Sequence, residues 1–485
     1  MKLALIVVSI SKGSYSLGVC SILTYLEKYA NFKDGIIIDA NYEDIFKRLE
    51  EFKPDVVGLS AMTIYYPTAI KVARKIKEKY GIPIIIGGNH ISTLPESMES
   101  CFDIGVISEG EETMKELVEL YLDKGKFSSD DLKYVKGIVF HKDSKLIKTE
   151  PRPLIMPLDK VPIPNREYLN KNYFKKNRNF GTGDIEICYR LPASRGCPYK
   201  CRFCSPAIMW GGKVRFNSIE RIVEEVRIGI EKYHATVIHF SDDLFAVSKV
   251  RLRELYEKLK ETNLLGKSKF SGSIRANLVD DELCILLKKL NFVHVAVGFE
   301  SGNKEILNYL KAGSVKVEDN YNTLRLLEKH KIKCFASFIF GNPGETLKQM
   351  EDTLNLIKFA YKHHIEFIYV YILKPFPGTE VWDIAEKKGL VSNDTHWEGL
   401  TTFVDGVNDE NKPILLNNDI SIDDFKKIHN KALLYSRLVA ARRFLKFSLK
   451  HPLISMKEIG NPFVFIKKAF MKTNTLKMIR EQKGI

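Results

Sequence analysis

Three cysteines, Cys197, Cys201 and Cys204, fall within eight residues of the stretch ASRGCPYKCRFCSP, spaced C-x3-C-x2-C. Thiolates are soft donors suited to zinc or to iron–sulfur clusters. A structural zinc site asks for four ligands, commonly paired Cys or Cys/His sets, and no fourth Cys or His stands nearby. Three thiolates match instead three corners of a [4Fe–4S] cluster, whose fourth iron stays open to a small molecule. Arg195, Lys200 and Arg202 would offset the negative charge of such an assembly. The other cysteines (Cys20, Cys101, Cys188, Cys284, Cys334) lie among apolar neighbours, where free Cys behaves as a small hydrophobe. In a long chain with no export signal, such a cluster reads as a metal or catalytic site rather than a disulfide framework.

The segments around the cluster alternate between strand and helix patterns. EICYRLPAS, TVIHFSDD, KFSGSIRA, HVAVGFES, CFASFIFG and EFIYVYIL are predicted strands, separated by amphipathic helical stretches. Six βα units in a row predict a partial (β/α)6 barrel over 181–390, with its site at the C-terminal strand ends. Ahead of it, KLALIVVS, DGIIIDA, PDVVGLSAM, IPIIIGG and FDIGVISEG alternate with helices. That pattern predicts an α/β, doubly wound parallel sheet over 1–143. Residues 144–180, with Pro151, Pro153, Pro157, Pro162 and Pro164, read as a linker. Residues 391–485 read as a helical, basic C-terminal region.

CPYKCRFC after a strand resembles the radical S-adenosylmethionine (radical SAM) enzymes. The resemblance implies that the cluster's open iron binds S-adenosylmethionine and that one electron from the cluster generates a deoxyadenosyl radical. It places Phe203 near the adenine. Further strand ends fit in order. HFSDDLF puts Asp242 and Asp243 by the methionine amino group. GSIRANL supplies Ser273 and Arg275 for a carboxylate or ribose, and VGFESG puts Glu300 on the ribose. In FIFGNPGET, Gly341 leaves room for the adenine.

The first domain is similar to the cobalamin-binding domain that precedes many radical SAM cores. Ligands of doubly wound folds sit at the C-terminal strand edge. Ser60 and Thr63 follow the third strand there, Gly87 and Gly88 the fourth, and Glu109 and Gly110 the fifth. The D-x-H-x-x-G motif that supplies a histidine to cobalt is absent, and His90 is not assigned as a ligand.

Of 75 Lys and Arg against 60 Asp and Glu, 15 basic and two acidic residues lie in 426–485, leaving the body near neutral. A surface that binds nucleic acid would spread its excess, so no nucleic acid partner is expected. On a helix the tail's mix of Leu, Phe and Ile with Lys and Arg suits either an anionic membrane surface or docking on the barrel. No run reaches the ~18 apolar residues of a membrane span, and the expected location is the cytoplasm, with peripheral contact at the inner membrane face.

The resemblance implies a cobalamin-dependent radical SAM enzyme. It reads first as a C-methyltransferase acting on an unactivated carbon of a hydrophobic or lipid-like substrate, with flavodoxin or ferredoxin as electron donor. An oxidative cyclase is the alternative. A tRNA methylthiotransferase would add an N-terminal Cys triad and a small β-rich RNA-binding module, and neither is found.

Overall fold

The computed structural model describes residues 1–8, 15–178, 184–363, 365–393, 395, 397–400, 414–416 and 420–452. They form two compact units. One comprises Met1–Tyr173 and Pro375–Leu400; the other comprises Phe174–Lys374 and the described residues after 400.

The first unit is built on a seven-stranded sheet. β1 (Leu3–Val7), β2 (Gly35–Asp39), β3 (Val56–Ser60), β4 (Ile84–Gly87) and β5 (Ile104–Val106) are parallel. Between them run α1 (Leu17–Tyr29), α2 (Ile45–Phe52), α3 (Tyr66–Tyr80) and the short α4 (Asn89–Thr93), and α5 (Glu111–Lys124) follows β5. The strands are almost wholly apolar and buried, as a sheet covered on both faces requires. An antiparallel hairpin, β6 (Ile138–Lys142) and β7 (Lys145–Lys148), extends the edge through Asp143 and Ser144, both at positive φ. The boundary expected at 143 therefore cuts through a hairpin turn.

Residues 144–173, expected as linker, pack into the first unit. Ile155, Leu158 and Val161 form a small apolar cluster. Asn165 N–H donates to Thr24 Oγ1 at 2.8 Å, and the Tyr173 hydroxyl donates to Asp39 at 2.5 Å. Residues 375–400, expected as barrel and then C-terminal region, also belong here. Trp397 stacks on Trp382 at 5.7 Å and meets the His90 ring at 4.7 Å.

The second unit holds a six-stranded parallel sheet in simple sequential order. Its strands are β8 (Cys188–Leu191), β9 (Val237–Phe240), β10 (Lys269–Ile274), β11 (Phe292–Glu300), β12 (Lys333–Phe340) and β13 (Ile365–Ile372). The connecting helices are α6 (Ile219–Glu231), α7 (Lys249–Glu261), α8 (Asp281–Lys289), α9 (Lys304–Leu310), α10 (Val317–Lys329) and α11 (Leu347–Lys362). Several start on a side-chain cap: Ser218, Ser248, Asp280 and Thr346 each accept a backbone N–H of the first turn. Among the described residues β8 and β13 do not pair, so this is the partial barrel that was expected.

The described part of the basic tail is one helix, α12 (Ile422–Lys450). It docks on the barrel. Phe425, Ile428, Ala432, Leu433 and Val439 join the barrel core. Arg442 donates to the Ile365 carbonyl at 2.7 Å, Arg443 pairs with Glu366 at 2.9 Å, and Lys450 pairs with Asp184. The helix thus runs from the edge strand β13 to the residues leading into β8. For 426–450 the docking alternative holds; the remaining tail lies outside the described residues. Among the described residues no helix is long and apolar enough to cross a membrane.

Phe425 is 1% exposed and Leu449 is 85% exposed on the same helix. Phe425→Ala is expected to cost roughly 3–5 kcal/mol, and Leu449→Ala no more than ~0.5 kcal/mol. Denaturant unfolding of both variants checks that order.

Candidate functional site

The cysteine loop has almost no regular structure and is held by its surroundings. At its base Ser194–Arg195 pairs antiparallel with Arg215–Phe216. Between them Gly196 takes φ 103°, and a Cβ there would lie 2.0 Å from the Lys213 carbonyl oxygen. Only glycine fits the step that leads into Cys197.

Successive strand ends then grip the loop. After β9, Asp242 accepts the Ala193 N–H at 3.1 Å and the Ser194 hydroxyl, while Asp243 accepts the Gly196 N–H at 3.2 Å. After β10, Arg275 donates from Nη1 to Cys201 Sγ at 3.2 Å and lies 3.8 Å over the Tyr199 ring. Asn277 reaches the Tyr199 hydroxyl at 3.3 Å. At the C-terminal end of α9, the Leu310 carbonyl accepts the Arg202 N–H at 3.1 Å. Lys311 pairs with Glu300 at 2.8 Å, both nearly fully buried, and its ammonium stands 5.7 Å from the Phe203 ring. Glu300 closes β11 at φ 58°, a strained conformation for a non-glycine residue.

Burial pushes the Cys204 thiol up to about 12, and the charges of Cys201, Cys197 and Asp243 add to it. Burial also raises Cys197, with Cys201 and Asp243 adding and Arg275 opposing. The Cys201 sulfur therefore lies close enough to Cys197 and Cys204 to oppose their ionisation. Cationic iron removes that penalty by deprotonating the thiols it binds, and the donor set fits a [4Fe–4S] cluster. Among the described residues no three His, Cys, Asp or Glu side chains converge as ligands of one metal ion.

The remaining predicted barrel residues divide. Ser273 lies on the inner face of β10, part-exposed. Gly341 follows β12 at φ 82°, and a Cβ there would meet Leu415 and Phe425 at 3.4 Å. Its N–H is taken by Glu345 at 2.8 Å, so this turn is closed by packing. Burial raises the Asp242 carboxyl to about 7. With Ala193 and Ser194 on it, Asp242 holds the loop from behind. Lys311 and Tyr199 were not singled out in the sequence; nothing local marks a lysine 11 residues beyond its glutamate partner.

In the first unit, Val7, Ser60 and Gly87 are level by register at the C-terminal strand edge. Gly88 takes φ 99° with Ala61 backbone 2.6 Å from a built Cβ, so that backbone approach excludes any side chain. Gly110 caps α5. Thr63 is turned inward, to His90 Nδ1 at 3.3 Å, and Glu109 is buried, accepting the Ile155 N–H at 2.8 Å. The His90 ring is fully buried, with Ser97 on Nε2 at 2.9 Å and the Tyr66 ring tilted against it at 3.9 Å. Burial pulls His90 down to about 3. It is a packed core residue.

Comparison with known proteins places both units. The radical SAM superfamily model matches residues 191–357, and the B12 binding domain model matches residues 4–118. An uncharacterized methyltransferase of Pyrococcus horikoshii is 32% identical over 377 residues, 76% of this chain and 77% of that protein. An anaerobic magnesium-protoporphyrin IX monomethyl ester cyclase of Rubrivivax gelatinosus is 25% identical over 67% of this chain and 58% of its own length. In fold, the chain is similar to the radical SAM methyltransferase TsrM of Kitasatospora setae, solved with cobalamin and a [4Fe-4S] cluster. That match has a TM-score of 0.66 and 17% identity, covering 90% of this chain and 89% of that one. The cobalamin-dependent radical enzyme OxsB gives TM-score 0.66 at 17% identity, covering 99% and 71%. With a B12-binding domain ahead of a three-cysteine barrel, the chain belongs to the cobalamin-type radical SAM enzymes, a family of methyltransferases and cyclases.

Proposed function

We propose that this chain is a cobalamin-dependent C-methyltransferase that binds a [4Fe–4S] cluster through Cys197, Cys201 and Cys204 and methylates a carbon of a hydrophobic substrate. The observation that carries the reading is the cysteine loop itself, three thiols on one short loop with Arg275 donating to the Cys201 sulfur and Asp243 accepting the Gly196 N–H. When bound, the cofactors supply one-electron cleavage of S-adenosylmethionine and a transferable methyl group. The chain's own residues position and shield them. Arg275 offsets charge at Cys201. Phe203, Ser273, Glu300 and Lys311 line the place where S-adenosylmethionine would lie, and the Lys311–Glu300 pair fixes polar groups there without leaving a buried charge unpaired. Asp242 and Asp243 position the loop rather than touch the reacting atoms. In the first unit, Ser60, Gly87 and Gly88 form an edge of small residues suited to a bulky corrin. Electrons come from a flavodoxin- or ferredoxin-class donor.

The printed activities of relatives include bacteriochlorophyllide d methyltransferases of Chlorobaculum tepidum and the cyclase above. These support methyl transfer, with oxidative cyclisation as the second reading.

Anaerobic reconstitution is expected to give about four irons per chain, and Cys201→Ala is expected to lose the cluster absorbance; a mutant with full iron content removes the assigned site. With reductant and S-adenosylmethionine carrying a labelled methyl group, the corrin-loaded enzyme is expected to form 5′-deoxyadenosine and to place label in a product from cell extract. Deoxyadenosine without any labelled product favours the cyclase. The basic residues after α12 serve an anionic membrane face in this reading. The full chain is expected to float with acidic lipid vesicles and a chain ending at residue 452 is not; equal flotation of the two removes that role.

A further inference from the structure

α12 carries apolar residues on two sides. One side is buried against the barrel through Phe425, Ile428, Ala432, Leu433 and Val439. On the opposite side Leu434, Leu438, Ala441, Leu445 and Leu449 recur at i, i+4, i+7, i+11 and i+15, the spacing of one helix face. The stripe is about 22 Å long. Leu434 is 45% exposed, Leu445 55% and Leu449 85%, with Leu438 and Ala441 part-exposed between them. Exposure thus rises toward the end from which the chain continues into residues 453–485. Other exposed apolar residues of this unit, such as Val250 and Ile285, stand on separate helices. Single ones need no explanation, but a row along one helix face does.

The charge around the stripe selects what can cover it. From Phe425 to Lys450 there are eight Lys and Arg and no Asp or Glu. Arg442, Arg443 and Lys450 bond to the barrel. Arg437 and Lys446 flank the stripe, and Lys431 precedes it by one turn. Residues 453–485 add seven basic and two acidic residues. A second copy laid on this face would bring two cationic helices together, and like charges oppose that contact.

An acidic electron carrier would find matching charge in the wrong place. Phe425 meets Gly341 at the C-terminal end of β12, Arg442 reaches Ile365 at the start of β13, and Lys450 reaches Asp184 ahead of β8. The helix therefore descends from the C-terminal to the N-terminal strand ends. Its most exposed leucines lie at the pole opposite the cysteine loop, which follows β8. An anionic bilayer meets both requirements, since it takes apolar side chains below its headgroups and cations among them.

We infer that the Leu434–Leu449 face of α12 inserts into the headgroup layer of an anionic membrane, held there by the charge of the basic residues that follow. The inference rests on the membrane role proposed above for those residues and adds the apolar half of the contact. Stable association takes two signals. Four leucines without the later charges do not anchor the chain, so a chain ending at residue 452 stays in solution. Contact at that pole turns the cysteine loop away from the bilayer, so the membrane anchors this unit without feeding its site.

Flotation of the cluster-loaded full chain with phosphatidylcholine vesicles, with and without phosphatidylglycerol, checks the face. Leu445→Gln/Leu449→Gln is expected to lower partitioning onto the acidic vesicles by roughly tenfold or more, because two leucine burials are lost. Val250→Gln on α7 is expected to leave it unchanged. Both altered leucines are exposed, and retained cluster absorbance reports the fold. A Leu449→Trp chain is expected to gain blue-shifted indole emission with acidic vesicles, relative to the unaltered chain. If the unaltered chain floats and the double variant floats equally, or if the emission does not shift, the later basic residues act alone and the inference is overturned. If the unaltered chain does not float, the membrane role of those residues is overturned together with it. An unaltered chain that is dimeric in solution, with a monomeric double variant, shows a second copy on this face and also overturns the inference.

Discussion

Three thiols on an irregular loop cannot set their own spacing, and the chemistry of the barrel depends on that spacing. The constraint is met from outside the loop. Asp242 and Asp243 hold its entry, Arg275 holds Cys201 and Tyr199, and the Leu310 carbonyl holds Arg202. These anchors come from the ends of neighbouring parallel strands or the loops that follow them. Only a sheet in sequential order brings such ends side by side. The regular part of the fold therefore exists, for this site, as a jig for an irregular one.

What was legible in the sequence was local. Six apolar strands with intervening helices announced the barrel, and five more announced the doubly wound unit, because a period of two or 3.6 residues is written in a short window. The three-cysteine loop stood out by spacing alone. Long-range pairings were not. The β6–β7 hairpin is nearly polar on its exposed strand and shows little period. Glu109 looked like an edge residue but turns inward to Ile155, and Gly341 looked like an opening but is packed by Phe425 and Leu415. Glu109 and Gly341 each depend on a partner dozens of residues away, which no local pattern encodes. His90 could be set aside from the sequence, and its two occupied nitrogens give the reason.

The charge of the tail is a similar case. Composition shows an excess of Lys and Arg, and a composition has no direction. In the folded chain Arg442, Arg443 and Lys450 are spent on a carbonyl and two carboxylates of the barrel. They tie the edge strand β13 to the approach to β8. Part of what reads as a surface property is thus a stitch across the gap of an incomplete barrel.

The return of residues 375–400 to the first unit has a temporal meaning. Trp382 and Trp397 complete the packing around His90, yet they are synthesised after every strand of the barrel. On the ribosome the first unit must wait, its last pieces still unmade, while the second unit's sheet emerges in full. Domains usually mature in the order they are made; here the first unit waits on residues 375–400 and the second on α12, and a nascent chain arrested anywhere before residue 397 carries a first unit that is still open at His90.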